Sequence, residues 1–170
     1  MNANLRTAKE KAVMDTLPRA DAAIEAQLRL WLSIFAAHVR AVDYAAARPM
    51  WHPDVLAFGT HRDVMAGLET AIATQWDNVW PKTAQFAFDL AATQVLASPD
   101  RAMAIVIAPW SSLGYAPDGT PFDRPGRATM VFDRSGHPSL AGGWRCLHSH
   151  LSLNRGVPQT SHASRPVRGR

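Results

Sequence analysis

The spacing of apolar residues predicts one long amphipathic helix early in the chain. Its apolar side chains recur at helical intervals, at Ile24, Leu28, Trp31, Leu32, Phe35, Val39 and Val42. Asp21 precedes this run and Glu25 falls in its first turn, a pattern typical of a helix N-terminus. Residues 43–50 predict a second, short helix. The apolar residues after Gly67 predict a third helix, which ends at Pro81.

The rest of the chain has the shorter apolar runs and the turn residues of β-strands. One short strand is predicted between the second and third helices, at residues 55–60. Four more are predicted at residues 85–96, 101–110, 127–133 and 144–153. Gly and Pro clusters in residues 111–126 predict a long loop. Helices followed by an antiparallel meander indicate an α+β fold, in which helices pack on one face of a curved sheet and leave a cavity at its open end.

A length of 170 residues suits a single domain flanked by two extensions. We assign residues 1–20 to an N-terminal extension, residues 21–153 to the folded domain and residues 154–170 to a tail. The tail holds four of the 18 basic residues and no acid, and it is rich in Ser, Pro and Gly. This composition predicts a disordered tail.

The basic excess of the chain belongs to this tail. Without residues 154–170, 14 basic side chains stand against 14 acidic ones, so the folded part is formally neutral. A nucleic-acid-binding domain more often carries a basic face, and we therefore expect no nucleic-acid partner. No run approaches the roughly 18 apolar residues of a membrane span, and the first residues lack the apolar core of a signal peptide. With Cys146 as the single cysteine, these features predict a cytoplasmic protein without a membrane partner.

The strand predicted at residues 144–153 carries the most chemically active pattern in the sequence. Its side chains alternate between two faces, and one face carries Trp144, Cys146, His148, His150 and Ser152. An imidazole can act as an acid, a base, a hydrogen-bond donor or a metal ligand near neutral pH. Two imidazoles beside a hydroxyl therefore form a candidate site.

A hairpin between the last two predicted strands adds residues to that face. If residues 134–143 connect the strands, Thr129 lies opposite His148 and Arg127 lies opposite His150. The predicted cluster then consists of Arg127, Thr129, His148, His150 and Ser152. Such a polar cluster on an inward face is costly unless it is hydrated or binds a ligand, so we place it in the cavity.

The two histidines admit three interpretations. They can line a polar pocket, hydrogen-bond Thr129 or Arg127 on the neighbouring strand and hold the strand register. One imidazole of His148 or His150 can instead bind a substrate or move a proton. A His-x-His pair can also hold a metal ion, but a catalytic zinc needs a third protein ligand, and neither His52 nor His61 has diagnostic spacing. We therefore predict no metal site.

Arg127 and the aromatic residues complete the candidate binding site. Arg127 is suited either to hold a carboxylate or enolate oxygen or to pair with a nearby acid. Tryptophans belong to the core by default, but some are expected to wall the cavity and to suit a flat apolar ligand. We select Trp110 first, followed by Trp51, Phe58, Trp76 and Trp80. His61, just past the first strand, is placed near the open end of the cavity.

Several of these segments together resemble the SnoaL-like branch of the nuclear transport factor 2-like superfamily, over about residues 24–153. The resembling segments are the first helix, His52-Pro53-Asp54-Val55, Phe58-Gly59-Thr60, Gly67, Arg127-Ala128-Thr129 and residues 144–152. The Trp-x-x-x-His-x-His-x-Ser pattern also resembles the association domain of calcium/calmodulin-dependent kinase. The resemblance implies a cone-shaped curved antiparallel sheet with three N-terminal helices packed on its concave face. It also implies a deep pocket and a homodimer packed sheet to sheet.

The resemblance does not fix one activity, because relatives include ketosteroid isomerases, cyclases, dehydratases, epoxide hydrolases and domains without catalysis. The paired acids and tyrosine of ketosteroid isomerase have no clear match here, nor does the Asp-Arg-Asp set of epoxide hydrolases. We expect the protein to bind a small apolar or aromatic molecule without a cofactor. As an enzyme it would transfer protons, with His148 or His150 as base or acid and Arg127 stabilising negative charge. The alternative is a ligand-binding or assembly domain without catalysis.

Overall fold

An eight-stranded curved sheet carries a layer of helices on one face, in a computed structural model that describes residues 17–60, 63–135 and 140–162. The strands are β1 (Trp51–Phe58), β2 (Met65–Ala66), β3 (Ala84–Phe88), β4 (Gln94–Ala97), β5 (Met103–Tyr115), β6 (Pro121–Asp123), β7 (Gly126–Asp133) and β8 (Arg145–Leu153). The helices are α1 (Ala22–Ala41), α2 (Tyr44–Ala47), α3 (Leu68–Ala71) and α4 (Asp77–Val79). Short 3₁₀ turns follow α2 and α4, and a π-helical turn, Ile72–Trp76, joins α3 to α4. This α+β architecture confirms the predicted fold class.

Helix α1 begins where the sequence predicts. The Asp21 carboxylate accepts a hydrogen bond of 2.9 Å from the Ile24 backbone N–H, which holds the pKa of that carboxyl below its usual range. The predicted apolar stripe is buried, and Trp31 packs edge-on against Phe132 of β7 at 4.9 Å between ring centroids. Helix α1 therefore covers the face of the sheet that carries Phe132, which we call the inner face.

The sheet runs in the order β2-β1-β8-β7-β5-β3, and β4 and β6 also pair with β5. All pairs are antiparallel except β1 with β8, which is parallel. The predicted purely antiparallel sheet is therefore corrected at this pair. The last strand, β8, therefore lies beside the first strand, β1, and runs in the same direction.

Two predicted segments have different boundaries. The strand predicted at residues 85–96 is two strands, β3 and β4, separated by a turn in which the Asp89 carboxylate accepts from the Ala92 N–H. The loop predicted at residues 111–126 instead contains the end of β5 and all of β6. Its Gly and Pro residues are compatible with pairing because β6 is a short strand of three residues.

The hairpin between β7 and β8 is displaced by two residues from the predicted register. Thr129 pairs with His150, and Arg127 pairs with Ser152. A β-bulge accounts for one of these two residues, because Val131 pairs with His148 but Phe132 pairs with Cys146, which leaves Leu147 as an extra residue on β8. The bulge also exchanges the faces of β8 along its length. Cys146 points inward before the bulge, and Ser149 points inward after it.

The start of the predicted tail packs on the folded body, which corrects the expectation of disorder for residues 154–162. The Ser161 hydroxyl accepts from the Tyr115 backbone N–H at 2.9 Å and donates to the carbonyl of Lys82. The His162 N–H donates to the Tyr115 carbonyl. The composition missed these contacts because they depend on an open strand edge that only the fold creates. Residues 163–170 lie outside the described part.

The extension assigned to residues 1–20 also meets the sheet at its end. The Ala97 N–H donates to the carbonyl of Pro18, and the Ala20 N–H donates to the carbonyl of Val95. Residues 1–16 lie outside the described part. Among the residues that are described, no helix is long and apolar enough to cross a bilayer.

Candidate ligand-binding site

A pocket opens between the inner face of the sheet and the helical layer. About 660 Å³ of space free of protein atoms lies within its outline, and this volume includes open solvent. Its apolar wall consists of Phe35, Val39, Trp51, Ala57, Phe58, Met65, Ala71, Trp76, Val79, Trp80, Phe86, Trp110 and Leu151. Its remaining wall consists of Gly59, Thr60, Gln75, Thr83, Ser112, Arg124 and Ser149. The pocket is thus an aromatic cavity with a few polar groups, as is usual for sites that bind small organic molecules.

Stacked indoles form the helical side of the pocket. Trp76 and Trp80 are four residues apart and therefore share one face of their helical segment. Their rings lie 4.3 Å apart at an interplanar angle of 16°. Trp51 packs edge-on against Trp76 at 5.6 Å. Trp76 closes the π-helical turn, a local distortion that occurs frequently at functional sites.

Trp110 forms the sheet side of the pocket together with Phe86, whose ring lies 5.5 Å away. Gly126 pairs with Trp110 across β5 and β7. A Cβ at position 126 would lie 2.3 Å from the Trp110 ring, so only glycine leaves room for this indole. The structure therefore brings together in the pocket wall the residues predicted to line it, Trp51, Phe58, Trp76, Trp80 and Trp110. Phe58 lies at the rim, with its ring also against those of His148 and His150.

The predicted polar cluster lies on the other side of the sheet, which we call the outer face. Arg127 and Thr129 of β7 are exposed, whereas their neighbours on the inner face, Ala128 and Met130, are buried. On β8, Ser149 is buried, so His148, His150 and Ser152 point outward. The placement of these five residues in the cavity is therefore wrong, because it assumed that β8 alternates regularly from Trp144 onward. The bulge at Leu147 breaks that alternation.

The outer-face histidines have contacts of their own. The Nδ1–H of His148 donates to the Leu56 carbonyl oxygen at 2.9 Å. His150 is exposed and lies beside Phe58 at 5.3 Å between ring centroids. Cys146 is separated from them by the bulge and fully buried, and this burial raises the pKa of its thiol. Cys146 therefore does not pair with His148 or His150.

No metal centre is evident in the described residues, since no group of three or more His, Cys, Asp and Glu side chains there could hold an ion. His52 has a carboxylate neighbour, with its Nδ1 3.9 Å from the Asp54 carboxylate. His61 follows Thr60 of the pocket wall in sequence but lies outside the described residues.

Arg124 is the charged residue of the described pocket wall, and the sequence pattern did not indicate it. It is 2% exposed, and its pKa is lowered because burial disfavours the charged form. Its backbone exchanges two hydrogen bonds with Ser112 of β5, of 3.1 and 2.8 Å. Residues paired in this way point to the same face, and Ser112 points inward. Gly114 is the sequence signal, since a Cβ there would lie 2.5 Å from the Arg124 Cδ.

The fold and the aromatic pocket agree with the comparison to known protein families. Residues 28–155 match the family model of the SnoaL-like domain. The chain belongs to the SnoaL-like family. This confirms the resemblance on which the fold expectation depends. No curated protein sequence matches the chain significantly.

Solved structures share the architecture of this SnoaL-like domain at low identity. A nuclear transport factor 2-like superfamily protein from Salmonella enterica serovar Typhimurium is 17% identical over 81% of this chain and 97% of its own, with a TM-score of 0.64. The CaMKII hub of S. rosetta is 22% identical over 75% and 95%, with a TM-score of 0.61. A protein with a cystatin-like fold from Novosphingobium aromaticivorans is 15% identical over 92% and 94%, with a TM-score of 0.60. At these identities the similarity establishes the fold alone.

Proposed function

We propose that this SnoaL-like domain binds a small, flat and largely apolar organic molecule in its aromatic pocket. The observation that carries the proposal is the wall itself. Trp76 and Trp80 stack on the helical side, and Trp110 lies over Gly126 on the sheet side. Flat aromatic surfaces around open space bind planar ligands by burial and ring contacts.

Binding without catalysis is the form of this proposal that the pocket chemistry favours. General acid–base catalysis needs a group that titrates near the working pH and reaches the substrate. Arg124 is the sole ionisable side chain in the wall among the described residues, and a guanidinium stays charged. Proton transfer by His148 or His150 would require a ligand on the outer face. His61 stays a candidate ligand-binding residue, as the sequence predicts, outside the described residues.

A matched pair of serine variants tests the pocket. Ser149 is buried in the pocket wall, and Ser111 is exposed on the outer face of β5. We expect Ser149→Leu to weaken the binding of the neutral probe 2-naphthamide at least about tenfold by isothermal titration calorimetry, because the added side chain occupies the pocket. Ser111→Leu should bind like the wild type. Equal affinity in a folded Ser149→Leu protein would place the site elsewhere.

We also propose that two copies associate through the outer face of the sheet. Large apolar side chains are exposed there, including Leu56 at 52%, Ile105 at 38% and Ile107 at 46%. Cross-strand pairing places two of them in one row across four strands. This row runs through Ile105, Val131, His148 and Leu56. A contiguous exposed apolar surface of this kind marks an interaction site. The histidines would then be interface residues.

The oligomeric state tests this second proposal. Ile107→Lys places a charge on the outer face, two residues from Ile105 on the same strand, and should convert a dimer to a monomer in light scattering coupled to gel filtration. Leu30→Lys is the control, because Leu30 of α1 is 53% exposed but lies on the helical side. A monomeric wild type, or a dimer that survives Ile107→Lys, would contradict the proposal.

A further inference from the structure

Among the described residues, the buried guanidinium of Arg124 has no counter-ion. In the part of the chain that the structure describes, each ion pair within 4.0 Å involves other residues. The Nη2 group of Arg124 donates to the carbonyl of Gln159 at 3.2 Å, and its buried Nε–H has no acceptor. A cation this buried is costly unless an anion or several acceptors satisfy it.

The position of Arg124 allows a ligand in the pocket to contact this guanidinium. The side chain lines the main pocket, and it also lines a smaller one beneath the segment Gln159–Ser161. Its stem fits closely against the inner face at Gly114. Backbone pairing with Ser112 therefore directs this charge into the layer between the sheet and the helices.

Other polar groups of the pocket wall favour an acceptor over a donor. The indole Nε1–H groups of Trp51 and Trp110 are buried and have no hydrogen-bond partner within residues 17–60, 63–135 and 140–162. Together with the Arg124 Nε–H they give the wall three unsatisfied donors. Buried donors without partners are rare, and each one points to a missing acceptor.

We propose that Arg124 anchors the carboxylate of a flat, apolar organic acid bound in the aromatic pocket. This inference rests on the proposed function, because it assigns a chemical class to the ligand of that same pocket. A guanidinium presents parallel N–H groups that match the two oxygens of a carboxylate. A monoanion fits better than a phosphate, since Arg124 is the single cation of the described wall.

A structural role is the competing explanation of Arg124. In that case the guanidinium serves only to hold the C-terminal segment through the Gln159 carbonyl. The two explanations differ in what they predict for ligands. A structural arginine affects all ligands of the pocket equally, whereas an anchor discriminates between a carboxylate and its neutral amide.

The test compares 2-naphthoate with 2-naphthamide, which have nearly the same size and shape but differ in charge, by isothermal titration calorimetry. We expect wild-type protein to bind the carboxylate at least about tenfold more tightly, since charge-assisted hydrogen bonds in a dry site are strong. Arg124→Met should lose this preference and retain its affinity for the amide. Arg127→Met is the matched control, because Arg127 is exposed on the outer face, and it should keep the preference.

Each outcome decides between the alternatives. Equal affinity of the wild type for both probes would overturn the anchor and leave the pocket proposal intact. Persistence of the preference in Arg124→Met, or its loss in Arg127→Met, would also overturn the anchor. Failure of the wild type to bind either probe would overturn the proposed function itself. If Arg124→Met does not fold, Arg124→Lys takes its place, and its preference should be weaker than that of the wild type because an ammonium lacks the bidentate geometry.

Discussion

Ser112 of β5 and Arg124, the residue directly after β6, lie opposite each other and exchange two backbone hydrogen bonds, of 3.1 and 2.8 Å. Their side chains consequently enter the same layer of the molecule. This pairing places a permanently charged group in a wall otherwise dominated by indole, phenyl and aliphatic surface. The combination of an aromatic cavity and one buried cation is the chemical character of the candidate site.

Arg124 should stabilise the ligand-bound protein, but its buried charge should not stabilise the ligand-free protein. Replacing a buried charge by an apolar residue of similar volume is often neutral or stabilising. We expect Arg124→Met to leave the free energy of unfolding unchanged or to raise it by up to about 2 kcal/mol, measured by urea denaturation without ligand. Arg127→Met, at an exposed position, should change it by less than about 0.5 kcal/mol. A large loss of stability in Arg124→Met would instead indicate that Arg124 is structural.

The first segment after β8 should contribute to stability through Ser161. Its hydroxyl satisfies the Tyr115 N–H and donates to the Lys82 carbonyl, and the side chain is buried. Ser161→Ala leaves that N–H unsatisfied, so we expect a loss of about 1–3 kcal/mol in the free energy of unfolding. Ser111→Ala is the control, because Ser111 is exposed on β5, the strand that also contains Tyr115. Equal stability of the two variants would show that residues 159–162 do not pack as described.

Cys146 should be unreactive in the folded protein. The thiolate is the reactive form, and burial raises the pKa of this thiol, so little thiolate exists at pH 7 to 8. The weak Sγ–H donation to the His148 carbonyl, at 3.2 Å, does not expose it. We expect 5,5′-dithiobis(2-nitrobenzoate) to label Cys146 slowly in buffer and rapidly in denaturing urea. Rapid labelling of native protein would contradict the burial of β8 before the bulge.

The parts of the fold that depend on local pattern could be predicted from the sequence. The Asp21 cap and the apolar stripe of α1 are encoded by neighbouring residues, and the structure confirms both. The tryptophans of the wall could be selected because large aromatics occur mostly in cores and pockets. These inferences needed no knowledge of how distant segments pair.

The histidines were misplaced because strand alternation is reliable only in a strand without a bulge. One extra residue, Leu147, moves His148 and every later side chain of β8 to the opposite face. Nothing local to the Trp144–His150 stretch marks the bulge. It becomes apparent only when Phe132 pairs with Cys146 while Val131 pairs with His148.

The sequence pattern indicated Arg127 and not Arg124 as the arginine of the pocket for a related reason. The two arginines are three residues apart and point to opposite faces of the sheet. The loop predicted at residues 111–126 concealed that Arg124 pairs with Ser112 of β5. Gly114 was the usable signal, because a glycine within a strand often marks a place where another group approaches closely.

The central claim, that the ligand lies among the indoles of the inner face, is tested most directly by the indole N–H signals in ¹H–¹⁵N correlation spectra during titration with 2-naphthoate. We predict that the signals of Trp51, Trp76, Trp80 and Trp110 shift. The signal of Trp144, which is buried away from the pocket and donates to Gln27 at 3.0 Å, should stay fixed and serves as the internal control. Shifts confined to the backbone amides of His148 and His150, with unmoved indole signals, would contradict the claim.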